Sequence, residues 1–126
     1  MPIRFLFPIF LLIMSACSST PVPAPPDSGI VGHVNIGPMC PVVQIGNPCP
    51  DKPYQAKLSI LSASDRSIVL RFQTDSNGDF RKSLAAGEYI LQPESPNVMP
   101  HAGEIPFVVH AHQFTQVDVT YDSGIR

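Results

Sequence analysis

The sequence contains no tryptophan, no cluster of basic residues and no apolar run long enough to cross a membrane as a helix. Charged residues make up only 14% of the chain, and the formal net charge is −2. The absence of a basic patch argues against nucleic acids and anionic lipid headgroups as partners. The longest apolar run, Phe5 to Met14, is half the length of a membrane-spanning helix, which needs about 20 residues.

That apolar run is typical of the hydrophobic region of a secretory signal peptide. The motif Met14-Ser15-Ala16-Cys17 follows it and resembles a lipobox, in which small residues precede a cysteine that is acylated. Met14 stands where leucine is commoner. We therefore expect residues 1–16 to be a lipoprotein signal peptide and Cys17 to be the lipidation site. The alternative is an ordinary secretory signal cut near Ala16, which would leave Cys17 as a free thiol.

An acylated Cys17 would determine where the protein resides. Acyl chains would hold it to a membrane, since each buried methylene contributes about 0.8 kcal/mol. Cleavage would also remove Arg4, leaving seven basic against ten acidic residues and a net charge of −3. Ser18 follows the cysteine, and in lipoproteins of Gram-negative bacteria a residue other than Asp favours the outer membrane. We expect a monomeric, periplasm-facing, lipid-anchored protein of the bacterial cell envelope, at the outer rather than the inner membrane.

The segment after Cys17 is rich in proline and has no periodic pattern. Such a composition predicts an extended, semi-rigid spacer of about 3.1 Å per residue. We assign residues 17–28 to a tether and residues 29–126 to one folded domain. A stalk of selected length and a generic leader both fit this composition.

Residues 29–126 alternate apolar and polar side chains with the period of β-strands. Turn-forming residues separate the alternating segments, and no segment has a helical pattern. Seven strands are predicted, at residues 29–36, 54–63, 68–73, 79–84, 88–92, 104–109 and 114–121. This arrangement predicts an all-β sandwich of two sheets. Lys82 has the parity of the inward-facing residues, so we expect its aliphatic stem to lie along the edge of the core.

Two glycines mark structural turns in this pattern. Asn77-Gly78 predicts a tight turn, because both residues accept φ > 0 at little steric cost. Gly87 is expected to form a second tight turn before the next strand.

The residues around the first turn also have the spacing of calcium ligands. Asp75, Asn77 and Asp79 alternate as oxygen ligands do in an EF-hand loop. That loop requires Gly at its sixth position and Glu at its twelfth, where this sequence has Phe80 and Ala86. Turn formation therefore explains these residues, and no calcium site is expected.

Two sets of motifs resemble a known family. The first is T-D-x-x-G-x-F followed by L-x-x-G-x-Y-x-L, and the second is G-P-M-C-P-V followed by P-C-P-D-x-P-Y. They are formed by Thr74, Asp75, Gly78, Phe80, Leu84, Gly87, Tyr89 and Leu91, and by residues 37–42, 48–51 and 53–54. The first set resembles the carboxypeptidase regulatory-like domains. Together with residues 122–126, the second resembles a bacterial subfamily of small secreted or lipid-anchored domains. The resemblance covers residues 29–126 and implies a Greek-key, prealbumin-like sandwich, but no particular activity.

The proline-rich segment 37–53 is predicted to be a long loop rather than a strand, because proline cannot donate to a β-ladder. With Cys17 lipidated, Cys40 and Cys49 are the pair left to form a disulfide, which would close this loop. Zinc binding is the alternative, although two thiolates with no neighbouring pair of ligands make a weak zinc pattern.

The same loop carries several apolar residues, namely Met39, Val42, Val43 and Ile45. An exposed group of apolar side chains would mark a contact surface for a partner. Alternatively, these side chains could cover the end of the sandwich.

Histidine and methionine side chains suggest an alternative function, because imidazole and thioether groups suit copper. His110 and His112 would share one face of an extended segment, and Met99 and His101 precede them in a loop. They could form a transition-metal site in an envelope protein. The competing interpretation is a solvated turn at residues 110–113, since histidine tolerates φ > 0 better than most residues.

No motif for catalysis is present. The sequence lacks G-x-S-x-G, and it does not end in the Tyr-Arg-Gly-Ser of transthyretin-like hydrolases. Tyr54, Tyr89 and Tyr121 have inward parity, so core packing explains them better than the iron ligation of intradiol dioxygenases. We expect a protein without enzymatic activity or cofactor, which acts as a binding or structural accessory module for another envelope protein or a polymer.

The last residues of the chain are expected to be held rather than frayed. Ile125 should dock against the sandwich, because it closely follows a strand with inward-facing apolar residues. Arg126 or Asp122 should pair with a polar group near residues 37–53.

Overall fold

The computed structural model describes residues 16–17, 27–42 and 44–126. The expected signal peptide, apart from Ala16, and most of the expected tether lie outside these residues. Within them the chain is all-β and contains no helix, so it contains no helix that could cross a membrane. Nine strands form two sheets: β1 (Gly29–Gly37), β2 (Lys52–Pro53), β3 (Lys57–Ser62), β4 (Ile68–Gln73), β5 (Asp79–Ser83), β6 (Gly87–Pro93), β7 (Ile105–Val109), β8 (Phe114–Gln116) and β9 (Val119–Asp122).

Strand β1 is the centre of the five-stranded sheet, because each of the other four strands pairs with it. β2 and β5 run antiparallel to β1, whereas β8 and β9 run parallel to it. The side chains of β1 alternate as the sequence predicts. Ile30 and Val34 are completely buried, while His33 and Asn35 are partly exposed on the opposite face.

The second sheet has the order β4-β3-β6-β7, and its strands are antiparallel. Leu58, Ile60 and Leu91 from this sheet are completely buried and belong to the same core as Ile30 and Val34. The two sheets also meet through an aromatic pair, since the Phe72 and Phe80 rings have centroids 5.5 Å apart. The expected position of Lys82 is confirmed: it is half-buried, with its ammonium 5.3 Å from the centroid of the Phe72 ring.

The prediction of seven strands is wrong in two places. Residues 37–53 do include a short strand, because Lys52–Pro53 pairs with Asn35 and Ile36. Pro53 is tolerated there because the strand lies at an edge of the sheet, where proline needs no donor. The predicted strand 114–121 is divided into β8 and β9. Next to this break, the His33 amide donates to the side-chain Oδ1 of Asp118, at 3.1 Å, instead of to a backbone carbonyl.

The turn at Gly78 is confirmed, with a φ of 79°. Asp75 Oδ1 accepts the backbone amides of Asn77 and Asp79, each at 2.9 Å, so the turn itself uses this carboxylate. The prediction for Gly87 is wrong, because this residue has no positive φ and simply begins β6. The preceding turn is closed instead by the Tyr89 hydroxyl, which donates to the Ala85 carbonyl at 2.6 Å.

The strand pairings place Ser28, where the expected tether ends, and the disulfide loop at opposite ends of the described structure. We call the first the tether end, where Gly29 pairs with Ser83 and Phe114 and where the turns 63–67, 84–86 and 110–113 lie. We call the second the loop end, where Gly37 pairs with Asp122 and where residues 38–51, 94–104 and 123–126 lie. Ser28 fixes the chain at the tether end, because its hydroxyl donates to the Leu84 carbonyl at 2.7 Å.

Candidate functional site

Two separate segments are joined at the loop end by the C-terminal tail. His101 and Asp122 exchange two backbone hydrogen bonds, of 3.0 and 2.7 Å. The next residue, Ser123, donates its amide to the Gly37 carbonyl at 2.9 Å and its hydroxyl to the Pro38 carbonyl at 2.5 Å. The tail therefore connects the loop 94–104 to the base of the disulfide loop.

The predicted disulfide between Cys40 and Cys49 is confirmed, with the two Cα atoms 6.1 Å apart. A tight turn forms the far side of this loop, since the Asn47 amide donates to the Gln44 carbonyl at 3.1 Å. Gly46 has a φ of 79°, the value that the third residue of a type II turn requires. Ile45 is therefore placed at the corner of the turn.

The side chains at this corner are exposed to solvent. Val42 is 71% exposed and Ile45 is fully exposed. The alternative that these two residues cover the end of the sandwich is therefore wrong. Met39 is half-buried, and Val43 lies outside the described residues. We call Val42 and Ile45 the apolar tip.

A groove of about 890 Å³ lies beside the loop end, on the outer face of the four-stranded sheet. Residues 95–101 form one wall of it. The side chains that line it are both polar and apolar, and they include Arg71, Gln92, Glu94, Val98, Met99 and His101. The groove is shallow and open to solvent rather than an enclosed cavity.

Glu94 is the best-fixed polar residue of this groove. Its Oε1 accepts the Ser59 hydroxyl at 2.9 Å and lies 3.7 Å from Nε of Arg71. Its carbonyl accepts the Tyr121 hydroxyl at 2.8 Å. Burial raises the pKa of Tyr121 to about 12, so this hydroxyl keeps its proton at neutral pH. The sequence analysis missed this pair of Glu94 and Arg71, because Glu94 lies beyond the predicted strand 88–92 and had no predicted facing.

The four candidate metal ligands do not come together. Met99 and His101 line the groove at the loop end, whereas His110 and His112 follow β7 at the tether end. Within the described ranges, no group of three or more His, Cys, Asp or Glu residues is close enough to hold a metal ion. The solvated turn expected at residues 110–113 is confirmed, since His112 has a φ of 60° and its ring contacts the Asp27 carboxylate. This contact raises the pKa of His112.

One further histidine has a defined environment, on the outer face of the five-stranded sheet. His33 Nδ1 lies 2.7 Å from Asp79 Oδ1, and its Nε2 lies 2.9 Å from Asn35 Oδ1. The hydrogen bond with Asp79 raises the pKa of His33. Both ring nitrogens of His33 already have oxygen partners within the chain, so neither is free to activate a nucleophile. The hydrogen bond with Asp79 instead links β1 to β5.

The C-terminal tail is held, but by different contacts from those expected. Ile125 is half-buried. The expectation that Arg126 or Asp122 pairs with a group near residues 37–53 is wrong, because the two side chains pair with each other, with Nη2 and Oδ2 2.8 Å apart. The Arg126 guanidinium lowers the pKa of Asp122 to about 2. The contact with the loop base comes from Ser123 instead.

Comparison with known proteins identifies no relative of this chain, because no family model and no curated protein matches it.

Proposed function

We propose that this chain is a non-catalytic, lipid-anchored protein of the bacterial cell envelope that binds a partner through its loop end. In this proposal, Cys17 is the acylated N-terminus of the mature protein. The two sheets form a prealbumin-like Greek-key sandwich, as the sequence motifs suggest. The sandwich faces the periplasm, with the outer membrane favoured over the inner, and it acts as a monomeric binding or structural accessory module.

The observation that carries this proposal is the position of the two ends. The tether joins the domain at Ser28, and the disulfide loop leaves β1 after Gly37, at the other end of the same strand. A strand of this length separates the two points by about 30 Å, at about 3.3 Å per residue. An anchor at Cys17 would therefore leave the loop end free to meet other molecules of the envelope.

In the described residues, no hydrogen bond joins Ser95 to His101 in the groove, and the groove holds no pair of carboxylates, which supports a binding role over an enzymatic one. A catalytic site needs a nucleophile with a base, or paired carboxylates, in a cleft. In the described part of the chain, the groove contains one carboxylate, Glu94, next to a cation, Arg71. The partner of such a module would be another envelope protein or a polymer.

Metabolic labelling with palmitate, combined with membrane fractionation, tests the anchor. The wild-type protein should carry the label and sediment with membranes, and Cys17→Ala should abolish both. The matched control is the double variant Cys40→Ser/Cys49→Ser, which removes the other two cysteines and should keep the label. Labelling that survives Cys17→Ala, or a wild-type protein found unlabelled in the soluble fraction, would contradict the proposal.

A further inference from the structure

The apolar tip is exposed in a way that folding does not require. The corner of a turn is usually occupied by a residue that the turn chemistry favours, such as proline, or by a polar residue. Here the corner residue is Ile45, which is fully exposed, and Val42, three residues earlier in the same loop, is 71% exposed. Neither side chain contributes appreciably to the core, so both are available for a contact outside the domain.

The loop that carries the tip is constrained at three levels. The pairing of Lys52–Pro53 with Asn35 and Ile36 holds its base. The disulfide between Cys40 and Cys49 closes its middle, and the turn at residues 44–47 shapes its far side. A loop constrained in this way loses little conformational entropy when it binds, which favours its use as a preorganised contact.

The composition of the loop identifies the kind of partner. Residues 38–50 contain no Asp, Glu, Lys or Arg and no aromatic residue. Segments that bind the membrane interface are typically rich in Lys and Arg, with Trp or Phe on the apolar side, so a bilayer is a poor match. A strongly charged partner is also a poor match, because the loop offers no complementary charge.

The surroundings of the tip resemble the centre and rim of a protein interface. Exposed Gln44 and Asn47 flank Ile45 and offer uncharged hydrogen-bonding groups. Protein interfaces have this arrangement, with an apolar anchor in the centre and a polar rim around it. A second copy of this chain is the occupant that the experiment must distinguish from another protein, because its groove presents exposed Val98 and Met99 beside the ion pair of Arg71 and Glu94.

We propose that Ile45 and Val42 insert into an apolar pocket of a partner protein, whose rim offers uncharged hydrogen-bonding groups to Gln44 and Asn47. This inference rests on the proposed function, since it names the contact that the loop end makes. The small size of the tip corresponds to a weak or transient contact rather than to a permanent complex.

Site-specific photo-crosslinking in intact cells tests this proposal. A photo-reactive residue at position 45 should give one discrete adduct with another protein. The same residue at position 69, where Val69 is 47% exposed on β4, should not give that adduct. The protein in the adduct is then purified, and its affinity for the full-length chain is measured.

The affinity measurement decides the outcome. Ile45→Ser should weaken binding at least tenfold, whereas the control Val69→Ser should change it by less than twofold. An unchanged affinity for Ile45→Ser would overturn the proposal, and so would the same adduct from both positions or an adduct with a second copy. Binding to vesicles of phosphatidylethanolamine and phosphatidylglycerol that Ile45→Ser abolishes in the Cys17→Ala variant would assign the tip to a lipid surface and would also overturn it.

The two proposals can fail separately. The Cys17→Ala variant tests the lipid anchor through palmitate labelling. The Ile45→Ser variant tests the apolar tip through the affinity for the partner. Purified Cys17→Ala protein should bind the partner as tightly as the wild type does, because the anchor and the tip lie at opposite ends of the domain. A normal affinity in this variant, together with unlabelled wild-type protein, would reject the anchor and keep the tip.

Discussion

His101 and Asp122 are joined by a reciprocal pair of backbone hydrogen bonds, which fixes the start of the C-terminal tail against the loop 94–104. Ser123 then reaches the base of the disulfide loop through the carbonyls of Gly37 and Pro38. The tail thus acts as a brace between two loops that are far apart in sequence. Its contacts hold together two parts of the loop end, through which the proposed binding would occur.

The first prediction concerns this brace. Deleting residues 123–126 should lower the free energy of unfolding by about 1 to 2 kcal/mol from the two lost hydrogen bonds of Ser123. It should also speed amide exchange in residues 39–49. Deleting residues 124–126 is the matched control, because it keeps Ser123 and removes the exposed Gly124, half-buried Ile125 and the exposed Arg126. Equal exchange rates in the two truncated proteins would show that Ser123 does not hold the loop.

The second prediction concerns the turn at Gly78. Gly78→Ala should destabilise the protein by about 1 to 3 kcal/mol, because the φ of 79° disfavours any side chain and a Cβ would meet the Val34 carbonyl. Gly103→Ala is the control, since Gly103 has no positive φ and no atom lies near its Cβ position. That variant should be neutral or stabilised by up to about 1 kcal/mol. Urea unfolding of the two variants distinguishes them, and equal midpoints would contradict the turn.

The third prediction concerns pH. The hydrogen bond with Asp79 raises the pKa of His33, so protonation of His33 stabilises the folded state. This contribution is fully present below the unfolded value of about 6.5 and is lost as pH rises through the raised folded pKa. The other charged group that the fold places at His33 is Asp118, which accepts its amide and also favours the protonated ring.

Nuclear magnetic resonance titration of the His33 ring checks this prediction. The pKa should lie above 6.5 in the wild type and should fall in Asp79→Asn, which keeps a hydrogen-bonding group and removes the charge. The difference in stability between the two proteins should shrink as pH rises through the His33 pKa. A His33 pKa that Asp79→Asn does not change would contradict the pairing.

Local periodicity was enough to predict much of the fold. The alternation around Ile30 and Val34 gave the buried face of β1, and Asn77-Gly78 gave the turn before β5. The pairing of Cys40 with Cys49 followed from the three cysteines together with the expectation that Cys17 is lipidated. These features depend on residues close together in the sequence or on the number of cysteines. A single sequence is therefore enough to predict them.

The remaining features depend on contacts between residues far apart in the chain. The break between β8 and β9 lies where Asp118 accepts the amide of His33, which is 85 residues away in sequence. The exposure of Ile45 depends on whether the loop folds back onto the core, and composition alone allowed both outcomes. The separation of His101 from His110 depends on the direction of β7, which the spacing of the residues does not reveal.

The central claim is that the tether end faces the membrane and the loop end points away from it. Spin labels at Ala111→Cys, in the turn at the tether end, and at Asn47→Cys, beside the apolar tip, test it in the full-length lipidated protein. The protein is bound to vesicles that carry a paramagnetic lipid headgroup, and the relaxation of each label is measured. The account predicts faster relaxation at position 111 than at position 47, and equal or faster relaxation at position 47 would contradict it.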